Sequence, residues 1–129
     1  MLDNAHPGLP PAEIIRRIEL ALERAGTHTW DDVREQLLDG RAQIFWNDHG
    51  ACITEILVAP LKRTLNIWVF AGDLEGVLAS DLEDQVFRHA LTQTCDRITF
   101  TGRFGWEKLG EQRGWKKMAL VMVRDVEGV

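Results

Sequence analysis

Tyrosine is absent from this sequence of 129 residues, and cysteine, methionine and proline are scarce, at two, three and four residues. The missing phenol removes one common general acid from the side chains available for catalysis. Two cysteines, Cys52 and Cys95, are too few for a disulfide framework, and without an export signal they read as buried free thiols. The N-terminal run Met1-Leu2-Asp3-Asn4-Ala5-His6-Pro7 has neither a basic region nor an apolar core, so a secretory signal is not expected. No apolar run approaches the ~18 residues that a membrane-spanning helix requires. No stretch is strongly basic either. Lys and Arg number 15 against 20 Asp and Glu, and the net charge of -5 argues against a nucleic-acid footprint. His6, His28, His49 and His89 are far apart, no two at metal-ligand spacing and no cysteine pair beside them, so no metal is expected.

What remains is an ordinary globular composition, 45% hydrophobic and 27% charged, in a length suited to a single core. Pro7, Gly8 and Pro10 mark residues 1–10 as an irregular arm, followed by one domain over residues 11–129. Ile14, Ile18, Ala21, Leu22 and Ala25 recur at helical spacing, which predicts a helix from Pro11 stopped by Gly26. A second helix is predicted to about Asp39, opened by Thr29 with Asp32 three residues on and burying Trp30, Val33, Leu37 and Leu38. Three long β-rich segments follow, 42–46, 51–59 and 64–71, separated by Asn47-Asp48-His49-Gly50 and Pro60-Leu61-Lys62-Arg63, and they predict an antiparallel meander. Gly72-Asp73 breaks the third. Leu82, Val86, Phe87, Ala90 and Leu91 give an amphipathic helix, 96–101 a short strand, and the apolar run 118–123 a strand buried on both faces. Cys95 and His89 flank the end of that helix, but their spacing does not place them on one face, so a nucleophile pair is not expected.

This order, with Asp96-Arg97-Ile98-Thr99-Phe100-Thr101 and then Trp106-Glu107-Lys108-Leu109-Gly110, resembles the acyl-CoA N-acyltransferases of the GNAT superfamily over residues 11–125. The fold class expected is therefore α/β (α+β), a GNAT-like central mixed sheet with flanking helices, truncated at both ends. In that family a loop of glycines and basic residues after the meander holds the cofactor's pyrophosphate at a helix start. The matching segment here is residues 72–81, with Gly72 and Gly76 as candidate cofactor contacts. It carries Asp73, Glu75 and Asp81 and no Lys or Arg. Carboxylates there repel a pyrophosphate, so no cofactor is expected. The family often places a tyrosine general acid where this chain has Trp106, whose indole N–H is too weak an acid. Glu55 and Glu107 are the candidate bases. Their plainer reading is a solvent-facing strand residue and a surface helix residue.

Gly102-Arg103-Phe104-Gly105-Trp106 is the most distinctive run, either a strand-to-helix turn or a docking loop. Arg103, Phe104, Trp106 and Trp115 are the candidate protein-interface residues, while Trp30, Trp46 and Trp68 suit core packing. Small GNAT-like proteins with a similar Gly-Arg-x-Gly-Trp run resemble ones encoded by tailed bacteriophages. That resemblance implies a non-catalytic virion structural or assembly component, found in the virion or the bacterial cytoplasm. The alternatives are an active N-acetyltransferase with an atypical loop and a small-ligand-binding module. The expected partners are protein: a second copy or another virion protein, with no nucleic acid and no membrane. The contact is expected near residues 96–125, because only one strand is available after the last helix. Either it pairs beside residues 96–101 or a slot stays open there.

Overall fold

The computed structural model describes residues 8–126; residues 1–7 of the expected arm and residues 127–129 lie outside the described residues. Helix α1 (Ala12–Ala25) forms on the predicted apolar stripe, with Ile14, Ile18 and Leu22 all buried, and Pro11 stands as its N-cap. Gly26 ends it at φ 73°, a left-handed conformation natural to glycine, and donates its N–H to the Leu22 carbonyl. Helix α2 (Trp30–Leu38) opens on a reciprocal cap. Thr29 Oγ1 accepts the Asp32 N–H, and Asp32 Oδ2 accepts the Thr29 N–H at 2.8 Å. These bonds hold the Asp32 carboxyl below its usual range. Val33 is buried, but Leu38 is 67% exposed, against expectation. Five positions after Val33, it lies roughly 140° round the helix, on the far side from the core.

The sheet has four strands in the order β1 (Gln43–Asn47), β2 (Gly50–Ala59), β3 (Lys62–Gly72), β4 (Arg97–Phe100). The first three make the predicted antiparallel meander, and β4 joins β3 in parallel. Helices α3 (Leu74–Ala79) and α4 (Leu82–Thr92) connect β3 to β4, and α5 (Glu107–Gln112) follows. On one face, α1 and α2 cover Ile44, Ala51, Ile53, Val69 and Ala71, with Trp30, Trp46 and Trp68 packed at the margin as expected. On the other, α3 and α4 cover Phe45, Cys52 and Leu65 with Val77, Leu82, Val86 and Ala90. The register slips between Ile53 and Thr54, which pair with Val69 and Ile67. Trp68 is the extra residue. It and Val69 therefore both face α1 and α2, while Ile67 and Phe70 face the other side.

Three further expectations change. The break after Gly72 contains the short helix α3, because Asp73 accepts the Gly76 N–H and nucleates a turn. On α4, Leu82, Val86 and Ala90 are buried but Phe87 and Leu91 are 43% and 74% exposed. The predicted buried strand at 118–123 does not form. Residues 118–123 lie outside the sheet, with Met118, Leu120, Val121, Met122 and Val123 66–88% exposed.

Cys52 and Cys95 are both free, the first buried and the second half-buried. Burial, assisted by the Glu83 charge, pushes the Cys52 thiol up to about 12 from 9.0, so it is not a nucleophile at neutral pH. The neutral thiol is favoured in the folded state, so this contribution to stability is complete below pH 9.0 and falls as pH rises toward about 12. Each pH unit in that window removes at most about 1.4 kcal/mol. Urea unfolding from pH 8 upward should therefore show a steeper decline for the wild type than for Cys52→Ala; parallel curves would contradict the assignment.

Candidate functional site

β3 and β4 pair only where Thr64–Ile67 meets Arg97–Phe100. Beyond that, β3 continues to Gly72 while the chain after Phe100 turns away into α5, so a wedge opens between them. The Trp68 bulge lies at its base, the position where bulges commonly re-aim backbone groups at a site. Cys52, Ile67, Phe70, Val86, Phe100, Trp106 and Trp115 are among its lining residues. Aromatic rings fill most of it. Phe70 and Trp106 meet edge to face at 5.2 Å, and Phe100 and Trp115 do so at 5.0 Å. The volume left is about 50 Å³, against the ~300–1,000 Å³ of pockets that bury small-molecule ligands.

Glu83 closes one side. Its Oε2 accepts the Trp115 indole N–H at 2.7 Å, and its Oε1 accepts two donors of Arg113, Nε at 3.1 Å and Nη2 at 2.7 Å. The hydrogen bonds to Glu83, then its charge, push the Arg113 pKa up. The carboxylate thus pins the segment after α5 across the wedge. Sequence reasoning missed it, since the partners lie some thirty positions apart and leave no local pattern.

Leu74, Val77 and Leu78 line the wedge, so Gly72 and Gly76, their neighbours in the chain, mark its mouth. The Gly76 N–H is taken by Asp73 Oδ2 at 3.1 Å, and the Asp73 N–H by the His49 carbonyl at 3.3 Å. Both glycines press against the β1–β2 turn. A Cβ on Gly76 would come within 2.7 Å of His49 Nδ1, and one on Gly72 within 2.3 Å of the His49 carbonyl oxygen. Close packing, with φ 121° at Gly72, is therefore why glycine stands at these two positions. Asp73, Glu75 and Asp81 are exposed around this mouth. Arg17 reaches the same turn from α1, but donates to the Asp48 and His49 carbonyls and pairs with Glu13.

The candidate bases are not brought together. Glu55 accepts from the Asn66 amide at 3.0 Å, and Asn66 in turn accepts from Thr99, a polar row across β2, β3 and β4. Asn66 alternates with Ile67, so this row faces away from the wedge. Glu107 is exposed and folds back onto the Gly105 N–H at 2.8 Å. Its own backbone N–H and that of Gly105 hold its carboxyl below the usual range. Of the interface candidates, Trp106 and Trp115 are half-buried in the wedge, Arg103 lies 5.2 Å over the Trp106 ring, and Phe104 is 93% exposed. Among the described residues, no group of His, Cys, Asp and Glu is arranged to hold a metal, and no helix is long and apolar enough to cross a membrane.

Solved structures decide the fold. A probable acetyltransferase superposes with a TM-score of 0.65 over 90% of this chain and 92% of its own, at 14% identity. The chain has the GNAT acetyltransferase fold. Glucosamine-6-phosphate N-acetyltransferase from Arabidopsis thaliana matches at a TM-score of 0.63 and 12% identity, covering 89% of this chain and 93% of its own. An acetyltransferase from Trypanosoma brucei matches at 0.61 and 10%, covering 88% and 94%. No protein-family model matches the sequence, and no curated protein matches it. Gly72 and Gly76, the candidate cofactor contacts, stand at the start of α3, with the Gly76 N–H taken by Asp73.

Proposed function

We propose that this chain is a GNAT-fold protein that does not use acyl-CoA and acts by binding protein, as an assembly component. The observation that carries the reading is the mouth of the wedge. A pyrophosphate needs oriented, uncommitted N–H donors and positive charge. Here the Gly76 and Asp73 amides are already bonded, Asp73, Glu75 and Asp81 surround them, and Arg17 is committed elsewhere. The residues present do not fit that group. The aromatic filling supports the same reading, because a cofactor arm would have to displace Trp106 or Trp115.

Within this class, the likeness of the Gly102–Trp106 run to phage-encoded proteins supports a role in a tailed-phage virion. On that reading, purified particles of the encoding phage contain the chain in fixed stoichiometry. Its absence from them would remove the virion role and leave a cellular binding module. The rival reading, an acetyltransferase, draws on one specific observation, the Trp68 bulge at the base of the wedge. Thermal denaturation with acetyl-CoA separates the two. Ligand at 100-fold over its Kd stabilises a folded protein by ≈ 2.7 kcal/mol, so a micromolar site gives a clear rise in Tm at millimolar ligand. We expect no rise; a saturable one would favour the rival.

A further inference from the structure

The segment that closes the wedge is barely joined to the sheet it covers. Among the described residues, no backbone hydrogen bond links residues 102–126 to the rest of the chain. The backbone bonds they make stay inside the segment, as from the Trp106 N–H to the Arg103 carbonyl and from the Trp115 N–H to the Gly110 carbonyl. Helix α5 buries no residue, and among the described residues neither cluster of the core draws on this segment. Side chains hold it down. Trp106 meets Phe70 and Phe100, and Trp115 meets Phe87 and Phe100. The polar ties are three bonds to one carboxylate, Glu83, from Arg113 and Trp115, and a contact of Met118 Sδ with the Arg97 guanidinium at 3.5 Å. Beneath lie surfaces that are costly to leave open. Cys52, Ile67, Phe70 and Val86 floor the wedge, and on the side facing it β3 has no strand partner beyond Ile67.

We infer that residues 102–118 form a hinged flap, latched by Glu83, which swings off the wedge while the sheet and α1 to α4 stay folded. The bonds on either side of the boundary divide accordingly. Within the flap, α5 carries its own backbone bonds and Arg103 lies 5.2 Å over the Trp106 ring, so the segment moves as one piece. Outside it, β4 stays tied to β3. The Arg63 N–H donates to Asp96 Oδ2 at 2.8 Å, the Asp96 N–H donates to the Arg63 carbonyl at 2.7 Å, and Arg97–Phe100 pairs with Thr64–Ile67. Gly102 and Gly105, between β4 and α5, supply the hinge. Such an opening breaks ring contacts and the bonds to a single residue, so it belongs to the local openings that cost less than global unfolding. Closed, the flap is autoinhibitory: Trp106 and Trp115 occupy the slot themselves, and access to its apolar floor waits on the latch. Asp73, Glu75 and Asp81 keep their places at the mouth in either position, so the inference stands apart from whether acyl-CoA binds.

Thiol labelling of the full chain tests it, with Cys52 as the reporter. That side chain lies on the wedge floor and Cys52 is 3% exposed, so a reagent reaches it through an opening. In a Cys95→Ala background, labelling by excess aromatic disulfide reads the open population. At low urea the rate should hardly depend on urea, because the flap uncovers little surface, and it should steepen where global unfolding takes over. Glu83→Ala should raise the low-urea rate at least about tenfold, the effect of losing charge-assisted bonds made in the closed state alone. Glu83→Gln should raise it less, since the amide oxygen still accepts from Trp115. Ile18→Val weakens the core on the opposite face of the sheet, where Ile18 is fully buried, and should leave the low-urea rate within about twofold of its parent. A rate that follows global unfolding at every urea concentration would overturn the proposal. So would a Glu83→Ala rate equal to that of its parent, or an Ile18→Val rate raised as far as that of Glu83→Ala.

Discussion

Glu83→Ala is expected to destabilise the protein by about 3 kcal/mol, the scale of lost charge-assisted hydrogen bonds with a donor stranded behind them. Only 11% of the Glu83 side chain is exposed, and it accepts from both Trp115 and Arg113. Its removal leaves the indole N–H without an acceptor at the wall of an apolar wedge. Glu83→Gln keeps an acceptor for Trp115 and loses the ion pair, so about 1 kcal/mol is expected. Urea unfolding followed by tryptophan emission measures both. The alanine variant should also show Trp115 emission shifted to the red before unfolding begins. Equal stability for the two variants would mean that the carboxylate does not hold the segment after α5.

Trp106→Ala is expected to cost about 2–3 kcal/mol, below the 3–5 kcal/mol of a fully buried aromatic because the ring is half-exposed. The loss comes from the edge-to-face contact with Phe70 and from the space opened beside Phe100. Trp106→Tyr keeps an aromatic ring against Phe70 and should remain within about 1.5 kcal/mol of the wild type. It also restores a phenol where the GNAT resemblance places a general acid. No acyl transfer is expected from it, since the acidic mouth around Gly72 and Gly76 is unchanged. Equal stability for Trp106, Tyr and Ala would show that the ring serves docking in place of packing.

Local chemistry was legible in the sequence. The stripe of Ile14, Ile18 and Leu22, the Thr29–Asp32 cap, the tight turns at Asn47–Gly50 and Pro60–Leu61, and the β-rich runs between them each encode their own geometry within a few residues. Composition exposed the acidic character of 73–81 as well. What stayed hidden depends on contacts distant in sequence. Glu83 finds Arg113 and Trp115 only after α4 and α5 have packed, and His49 meets Gly72 and Gly76 only through the pairing of β2 with β3. The apolar run 118–123 carries the pattern of a buried strand, but whether a strand is buried depends on an edge within reach. In this chain the run begins with Met118 beside Arg97, the first residue of β4. Phe87 and Leu91 follow the same logic: apolar spacing alone does not bury them, and Phe87 is covered only in part, by the Trp115 ring at 5.9 Å.

On the reading proposed above, the mouth of the wedge does not receive an acyl-CoA pyrophosphate. Amide chemical shifts of ¹⁵N-labelled protein, followed while acetyl-CoA is added to millimolar concentration, test it most directly, because Gly72 and Gly76 report from the mouth itself. No saturable change is expected at Gly72, Asp73 or Gly76, nor at the Trp106 and Trp115 indoles, which corresponds to a Kd weaker than about 1 mM. Saturable shifts confined to these residues, with a micromolar Kd, would contradict it and restore the acetyltransferase reading.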